Sequence, residues 1–230
     1  MVSQKRACII VLALLFPFIF FHQCDGASHP SDSHADSRSA DFTSNDPNEK
    51  VNVSVYYESL CTPCAKFIIK YLQEIFYQDI ISIVNLHLVP WAGSHVNDAN
   101  NSIICQNGPD ECKLNSVEAC AINIFNVDKY YYLINCIEYL AIEGRQKNWK
   151  SCISQLGLPN ERIMNCYNSG NATELAQKYI NETSFLSPPP TFLPWVVVNN
   201  QPLEKEYQNV ISYVCKDYRG TAVPEACNLR

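Results

Sequence analysis

Two cysteines three positions apart, Cys61 and Cys64, stand where one hydrophobic pattern gives way to another. A Cys-x-x-Cys pair can carry out dithiol–disulfide exchange, supply half of a zinc site, or form an inert bridge. A zinc ribbon needs a second Cys-x-x-Cys, and the chain has none. Exchange chemistry needs one thiol that ionises readily. The first thiol falls at a predicted helix N-terminus, where unpaired amide N–H groups and the helix dipole stabilise a thiolate. Two intervening residues let the second thiol close a small disulfide ring. Pro63 lacks an N–H that a first helical turn leaves unused, and its φ is already near the helical value.

The elements around the pair are those needed to hold it. Val51, Val53, Val55 and Tyr57 alternate with Asn52, Ser54, Tyr56 and Glu58, the period of a half-buried strand. Ile68, Ile69, Leu72, Ile75 and Phe76 then recur at helical spacing, with Lys66, Lys70, Gln73 and Glu74 opposite. Residues 83–89 alternate again, with Val84, Leu86 and Leu88 on one face and Asn85 and His87 on the other. The helical crossover makes these two strands parallel. His87 reads as a solvent-face strand residue.

From about 93 to 188 the texture is helical and cysteine-rich. One predicted helix, 114–126, carries Val117, Cys120, Ala121 and Ile124; another, 129–142, carries Tyr131, Ile134, Ile137, Glu138 and Ala141. Shorter helices are expected over 146–155, 160–167 and 173–180. Tyr130, Tyr131 and Tyr132 read as packing. After Ser187-Pro188-Pro189-Pro190, the apolar run 191–200 ends at Asn199-Asn200 and predicts a strand with a hairpin turn. Leu203, Tyr207, Val210, Ile211 and Val214 mark a last amphipathic helix. The order β-α-β, insertion, β-β-α is an α/β chain: a thioredoxin-like core with a disulfide-stapled helical insertion. Such a core sets a cis-proline loop beside the Cys-x-x-Cys, so Leu193 and Pro194 are the expected substrate-binding residues. X–Pro bonds are mostly trans, and here the topology argues for cis.

The remaining features bound the setting. Lys5 and Arg6 precede the apolar run Ile9–Phe21, and Gly26 closes a more polar end, so 1–26 is an expected signal peptide. The run is short for a membrane span and none follows, so no span is expected after its removal. Residues 27–50 are poor in apolar side chains and read as a disordered arm or propeptide, with His29 and His34 as solvated tail residues. Residues 51–230 suffice for one domain. A net charge of −6 and a pI near 5.3 offer no basic surface for nucleic acid. Twelve cysteines in 230 residues, together with a signal peptide, imply an oxidising compartment. Four sequons begin at Asn52, Asn100, Asn171 and Asn181. Cys105, Cys112, Cys120, Cys136, Cys152, Cys166, Cys215 and Cys227 are expected to be structural bridges, and eight cysteines allow about 105 pairings.

The run Cys105-Gln106-Asn107-Gly108-Pro109-Asp110-Glu111-Cys112, continuing to Asn115 and Cys120, resembles the signature of the gamma-interferon-inducible lysosomal thiol reductase family. The strand and Cys-x-x-Cys before it and Pro194-Trp195-Val196-Val197-Val198-Asn199 after it resemble that family too, in the same order. The resemblance implies a soluble glycoprotein that reduces protein disulfides in an acidic endolysosomal, vacuolar or secreted setting, with Cys61 and Cys64 as the catalytic pair. Asn107 stands where the family usually has His, so no proton role of that His carries over. Thr62-Pro63 replaces the Gly-Ala of the mammalian members. Disulfide-containing proteins are the expected substrates and a small thiol or dithiol the electron donor; no metal or other cofactor is needed. A secretory-pathway disulfide oxidase or isomerase, and a non-catalytic disulfide-rich binding protein, are the competing readings.

Overall fold

The computed structural model describes residues 50–97, 99–100 and 102–228. The expected signal peptide, and the expected arm apart from Lys50, lie outside the described residues. β1 (Val51–Tyr57) leads into α1 (Thr62–Lys66), a π-helical stretch (Phe67–Leu72) and α2 (Gln73–Tyr77), then β2 (Val84–Pro90). A short hairpin follows, β3 (His95–Asn97) with β4 (Ser102–Ile104). α3 (Pro109–Ile124), α4 (Val127–Ile142), α5 (Lys150–Gln155), α6 (Asn160–Asn168) and α7 (Asn171–Ser184) fill the insertion. β5 (Trp195–Val198), β6 (Gln201–Pro202), α8 (Val210–Asp217) and α9 (Glu225–Asn228) close the chain.

The sheet order is β2-β1-β5-β6, with β1 parallel to β2 and antiparallel to β5. β1 is therefore central. Val51, Val53 and Val55 are buried and Asn52 is exposed, as alternation demands. Phe67, Ile68, Leu72 and Ile75 are fully buried beneath the sheet, each such side chain contributing about 1.5–3 kcal/mol. Tyr131 of α4 stacks on Phe76 at 3.8 Å and donates its hydroxyl to the Ile68 carbonyl at 3.2 Å. The tyrosine triplet thus packs the insertion onto the core.

Several boundaries differ from expectation. The insertion opens with a hairpin, because its three-residue strands are too exposed to carry an apolar alternation. The third core strand shrinks to Trp195–Val198, since Pro188, Pro189, Pro190 and Pro194 cannot donate to a ladder. Asn199 and Asn200 both take positive φ, 44° and 66°, the turn that suits a two-residue hairpin. The helix expected from Leu203 starts late, at Val210, behind a 3-10 segment Glu204–Asn209, and the short α9 follows it.

The structure pairs Cys105 with Cys112, Cys120 with Cys166, Cys136 with Cys152 and Cys215 with Cys227. The second links α3 to α6 across 46 positions. Closing a loop of that length removes unfolded-state entropy worth about 4 kcal/mol. Joint Cys120→Ala and Cys166→Ala replacement is therefore expected to lower the unfolding free energy by about 2–5 kcal/mol, read from urea denaturation with the other bridges intact.

Candidate active site

Cys61 and Cys64 form a disulfide of 2.08 Å at the start of α1. Cys61 is the N-cap, with extended backbone, and its Sγ accepts the Cys64 N–H at 3.3 Å. Cys61 is half-buried, whereas Cys64 is wholly buried. The Leu193–Pro194 peptide bond is cis, as is Ser187–Pro188. The Leu193 carbonyl oxygen lies 3.9 Å from Cys61 Sγ. Cys61, Ala92, Gly93, Gln106, Phe192 and Leu193 line an open cavity of ≈ 340 Å³. The chemistry-bearing residues named from sequence are thus brought together.

What holds them was not named from sequence. Glu58 is buried at the end of β1, three residues before Cys61, and its backbone carbonyl accepts the Cys61 N–H at 3.2 Å. Its Oε1 accepts from the Gly93 N–H at 2.7 Å and the Ser94 hydroxyl at 2.8 Å. Its Oε2 accepts from Asn115 Nδ2 at 2.5 Å. Asn115 Oδ1 in turn accepts from the Ser59 N–H at 2.9 Å and the Ser59 hydroxyl at 2.6 Å. One carboxyl and one amide therefore join the Cys61 loop, the cavity wall and α3. The wall is further set by Tyr57, whose carbonyl accepts the N–H of both Trp91 and Ala92 at 3.1 Å while Trp91 takes a φ of 107°. A Cβ at Gly93 would lie 2.9 Å from Gln106 Cδ, so a larger residue here would displace the Gln106 side chain from the wall. Glu111 accepts from the Asn107 N–H at 2.9 Å and from Asn107 Nδ2 at 2.6 Å.

Glu58, Glu111, Glu118 and Glu138 are all fully buried, and among the described residues none has an ion-pair partner. Burial, then the Glu111 charge, push Glu58 from the usual 4.5 up to about 7 against the hydrogen bonds it accepts. Burial pushes Glu118 up to about 8, although the Tyr57 hydroxyl donates to it at 2.8 Å. Burial and the neighbouring Glu118 hold Glu138 well above the carboxylate range. Glu118 Oε1 and both Glu138 oxygens have no hydrogen-bond partner, so burial favours the uncharged form of these acids.

His87 departs from the solvent-face expectation. α7 covers that side of β2, and His87 Nε2 lies 2.8 Å from Glu182 Oε1, which also accepts the Tyr56 hydroxyl at 3.1 Å. Burial alone would raise Glu182; the His87 contact holds it below the usual range. Asn52, Asn100, Asn171 and Asn181 are all exposed. Glu58, Cys105 and Glu111 bring possible metal ligands within 4.8 Å, but Cys105 is engaged in a disulfide and offers no thiolate.

The family model described as gamma interferon inducible lysosomal thiol reductase (GILT) matches residues 52–156. An Arabidopsis thaliana "gamma-interferon-responsive lysosomal thiol protein" is 36% identical over 184 residues, 78% of this chain and 76% of the relative. The Mus musculus gamma-interferon-inducible lysosomal thiol reductase is 33% identical over 187 residues, 79% and 73% of the two chains. Among solved structures, DsbA of Chlamydia trachomatis superposes with a TM-score of 0.50 at 17% identity, covering 80% of this chain and 97% of its own. A putative protein disulfide isomerase from Nitrosomonas europaea gives 0.51 at 13% identity, covering 74% and 100%. These structural likenesses show the thioredoxin-like fold alone.

The raised carboxyl groups fix a sign for stability. Between the usual 4.5 and about 7 for Glu58, or about 8 for Glu118, the folded chain holds protons that the unfolded chain has released. Their contribution is complete below pH 4.5 and declines as pH rises through those values. Glu182, held low, opposes this only in stronger acid. Thermal melts should therefore give a higher midpoint near pH ~5 than near pH ~8; a midpoint that rises across that interval would contradict the burial of these acids.

Proposed function

The chain belongs to the gamma-interferon-inducible lysosomal thiol reductase family, and from that premise we propose that it reduces disulfide bonds of protein substrates through Cys61 and Cys64. The observation that carries this reading is the half-buried Cys61 sulfur at a helix start, facing the Leu193 carbonyl across an open cavity, with its partner sulfur buried behind it.

In the reduced enzyme the Cys61 thiolate attacks one sulfur of a substrate disulfide. The substrate S–S bond breaks, a Cys61–substrate disulfide forms, and the departing thiolate takes a proton from water. Cys64 then loses its proton and attacks Cys61 Sγ. The mixed disulfide breaks, the second substrate thiol leaves, and Cys61–Cys64 closes. The substrate gains two electrons and two protons. Two equivalents of a small thiol, or one dithiol, restore the enzyme. The dithiol carries both electrons, so the exchange is complete without a further cofactor. Leu193 and Pro194 offer backbone to an extended substrate segment in strand-addition fashion. The working compartment in this reading is acidic, endolysosomal or vacuolar, or else extracellular. No helix among the described residues is long and apolar enough to cross a membrane. The four exposed asparagines are glycan acceptors and the four further disulfides structural.

An insulin-type reduction assay tests the assignment. Cys61→Ser and Cys64→Ser should each abolish turnover, whereas only Cys64→Ser should accumulate a covalent substrate adduct. An adduct on the Cys61→Ser protein would reverse the roles. Iodoacetamide labelling across pH supplies a second test. An ordinary thiol ionises near 8.5, and a helix-start Cys-x-x-Cys can bring that to roughly 3.5–7. A midpoint of about 8 or higher at Cys61 would leave too little thiolate for work in acid.

A further inference from the structure

We infer that Glu58 and Glu111 act as a pair of positioning residues for the Cys61 cavity, drawing its wall together while Glu58 is protonated and loosening it once that proton is lost. The inference rests on the reading of this cavity as the substrate site. Neither carboxyl lies among the cavity-lining residues, and neither is given a step in the exchange.

One carboxyl oxygen of each acid, with Cys105 Sγ, falls within a 4.8 Å cluster of buried groups. Each acid holds a different side of the wall. Glu58 grips Gly93 and Ser94 as well as Asn115, while Glu111 grips Asn107 through its N–H and its amide. Gln106, next to Asn107, packs on Gly93, and both line the cavity with Cys61. The two carboxyls therefore sit behind the seam between the two sides. With a proton, the pair carries one negative charge, which the surrounding N–H and O–H donors can satisfy. Without it, two like charges repel in a buried site, where water screens them poorly.

The neighbours do not cancel that repulsion. Glu118 on α3, Glu138 on α4 and Tyr57 on β1 are the buried titratable groups facing the pair, and none can be cationic. Cys105 is in a disulfide, while Asp110 and Lys113 on α3 and His95 beyond Ser94 are exposed. The upward displacement of Glu58 to about 7 sets the change between mild acid and neutrality.

The test uses the full chain and the steady-state reduction of a disulfide-bonded protein, with KM and kcat followed separately across pH. Glu111→Gln keeps the shape and removes the carboxyl charge, while its remaining oxygen still accepts one of the two hydrogen bonds that Asn107 donates. Wild-type KM should rise about tenfold between pH ~5.5 and ~8, whereas the Glu111→Gln value should stay within about twofold. A flat wild-type KM, or a variant that follows the wild-type midpoint, would overturn the inference. Hydrogen exchange on the wild type decides the matter without a variant or any turnover. After correction for intrinsic rates, protection of Gly93, Ser94 and residues 106–108 should fall as pH rises through neutrality while β1 keeps its own. Unchanged protection at the seam would sink the proposal even if the reductase assay succeeded. Loss at the seam with no reductase activity would instead leave the positioning role intact and remove the assigned function.

Discussion

A buried carboxyl with no cation to meet it must be satisfied by neutral donors, and Glu58 draws three of them from two distant parts of the chain. The consequences spread outward from there. Glu58 sits at the last turn of the backbone before Cys61, so whatever orients its carboxyl also orients the N-cap of α1. Gly93 and Ser94 belong to the connection after β2, and Asn115 belongs to α3 of the insertion. The sheet, the cavity wall and the insertion are consequently tied at one point. Losing the Asn115 donor would leave Glu58 Oε2 unpaired, at a cost of about 1–3 kcal/mol, more for a charged group.

This knot gives the insertion a role beyond covering the sheet. The run from Cys105 to Cys120 contributes Gln106 to the cavity, Glu111 and Asn115 to the polar network, and three cysteines to two bridges. The spacing of these residues follows from α3. Positions 111, 115 and 118 share one helix face, a turn apart, and that face turns toward the end of β1. Asn107 takes hold of Glu111 as a neutral donor of two hydrogen bonds, so the turn before α3 is secured without a charge at position 107.

The sequence made the frame legible because its signals are local. Alternation marked β1 and residues 83–89, the thiol spacing marked the candidate pair, and the proline before the apolar run marked the loop at Leu193. The features missed depend on packing that no local pattern records. The π winding of Phe67–Leu72 and the hairpin before α3 carry no periodic signature. His87 looked outward because the strand alone cannot say that α7 will lie over it. The buried acids did leave one trace: Glu138 falls on the same helical stripe as Ile134 and Ile137, where a lone charge has no place unless it is neutral or paired. The same reading of α3 puts Glu111 and Glu118 on its inward face.

A thiol oxidoreductase lives among reagents that cut the bonds it is built from. The five bridges among the described residues differ in how far an incoming thiol can reach them. Both sulfurs of Cys120–Cys166 are sealed within the insertion, while Cys136–Cys152 and Cys105–Cys112 each present one partly accessible residue. Cys215–Cys227 is partly open at both ends, at the edge of the fold where α9 returns to α8. Since exchange needs a clear line of approach to sulfur, immunity here is graded by depth rather than granted to every bridge alike. The chain's ageing in a reducing medium should thus begin at its carboxyl-terminal clasp, and the link between α3 and α6 should be the last to fail.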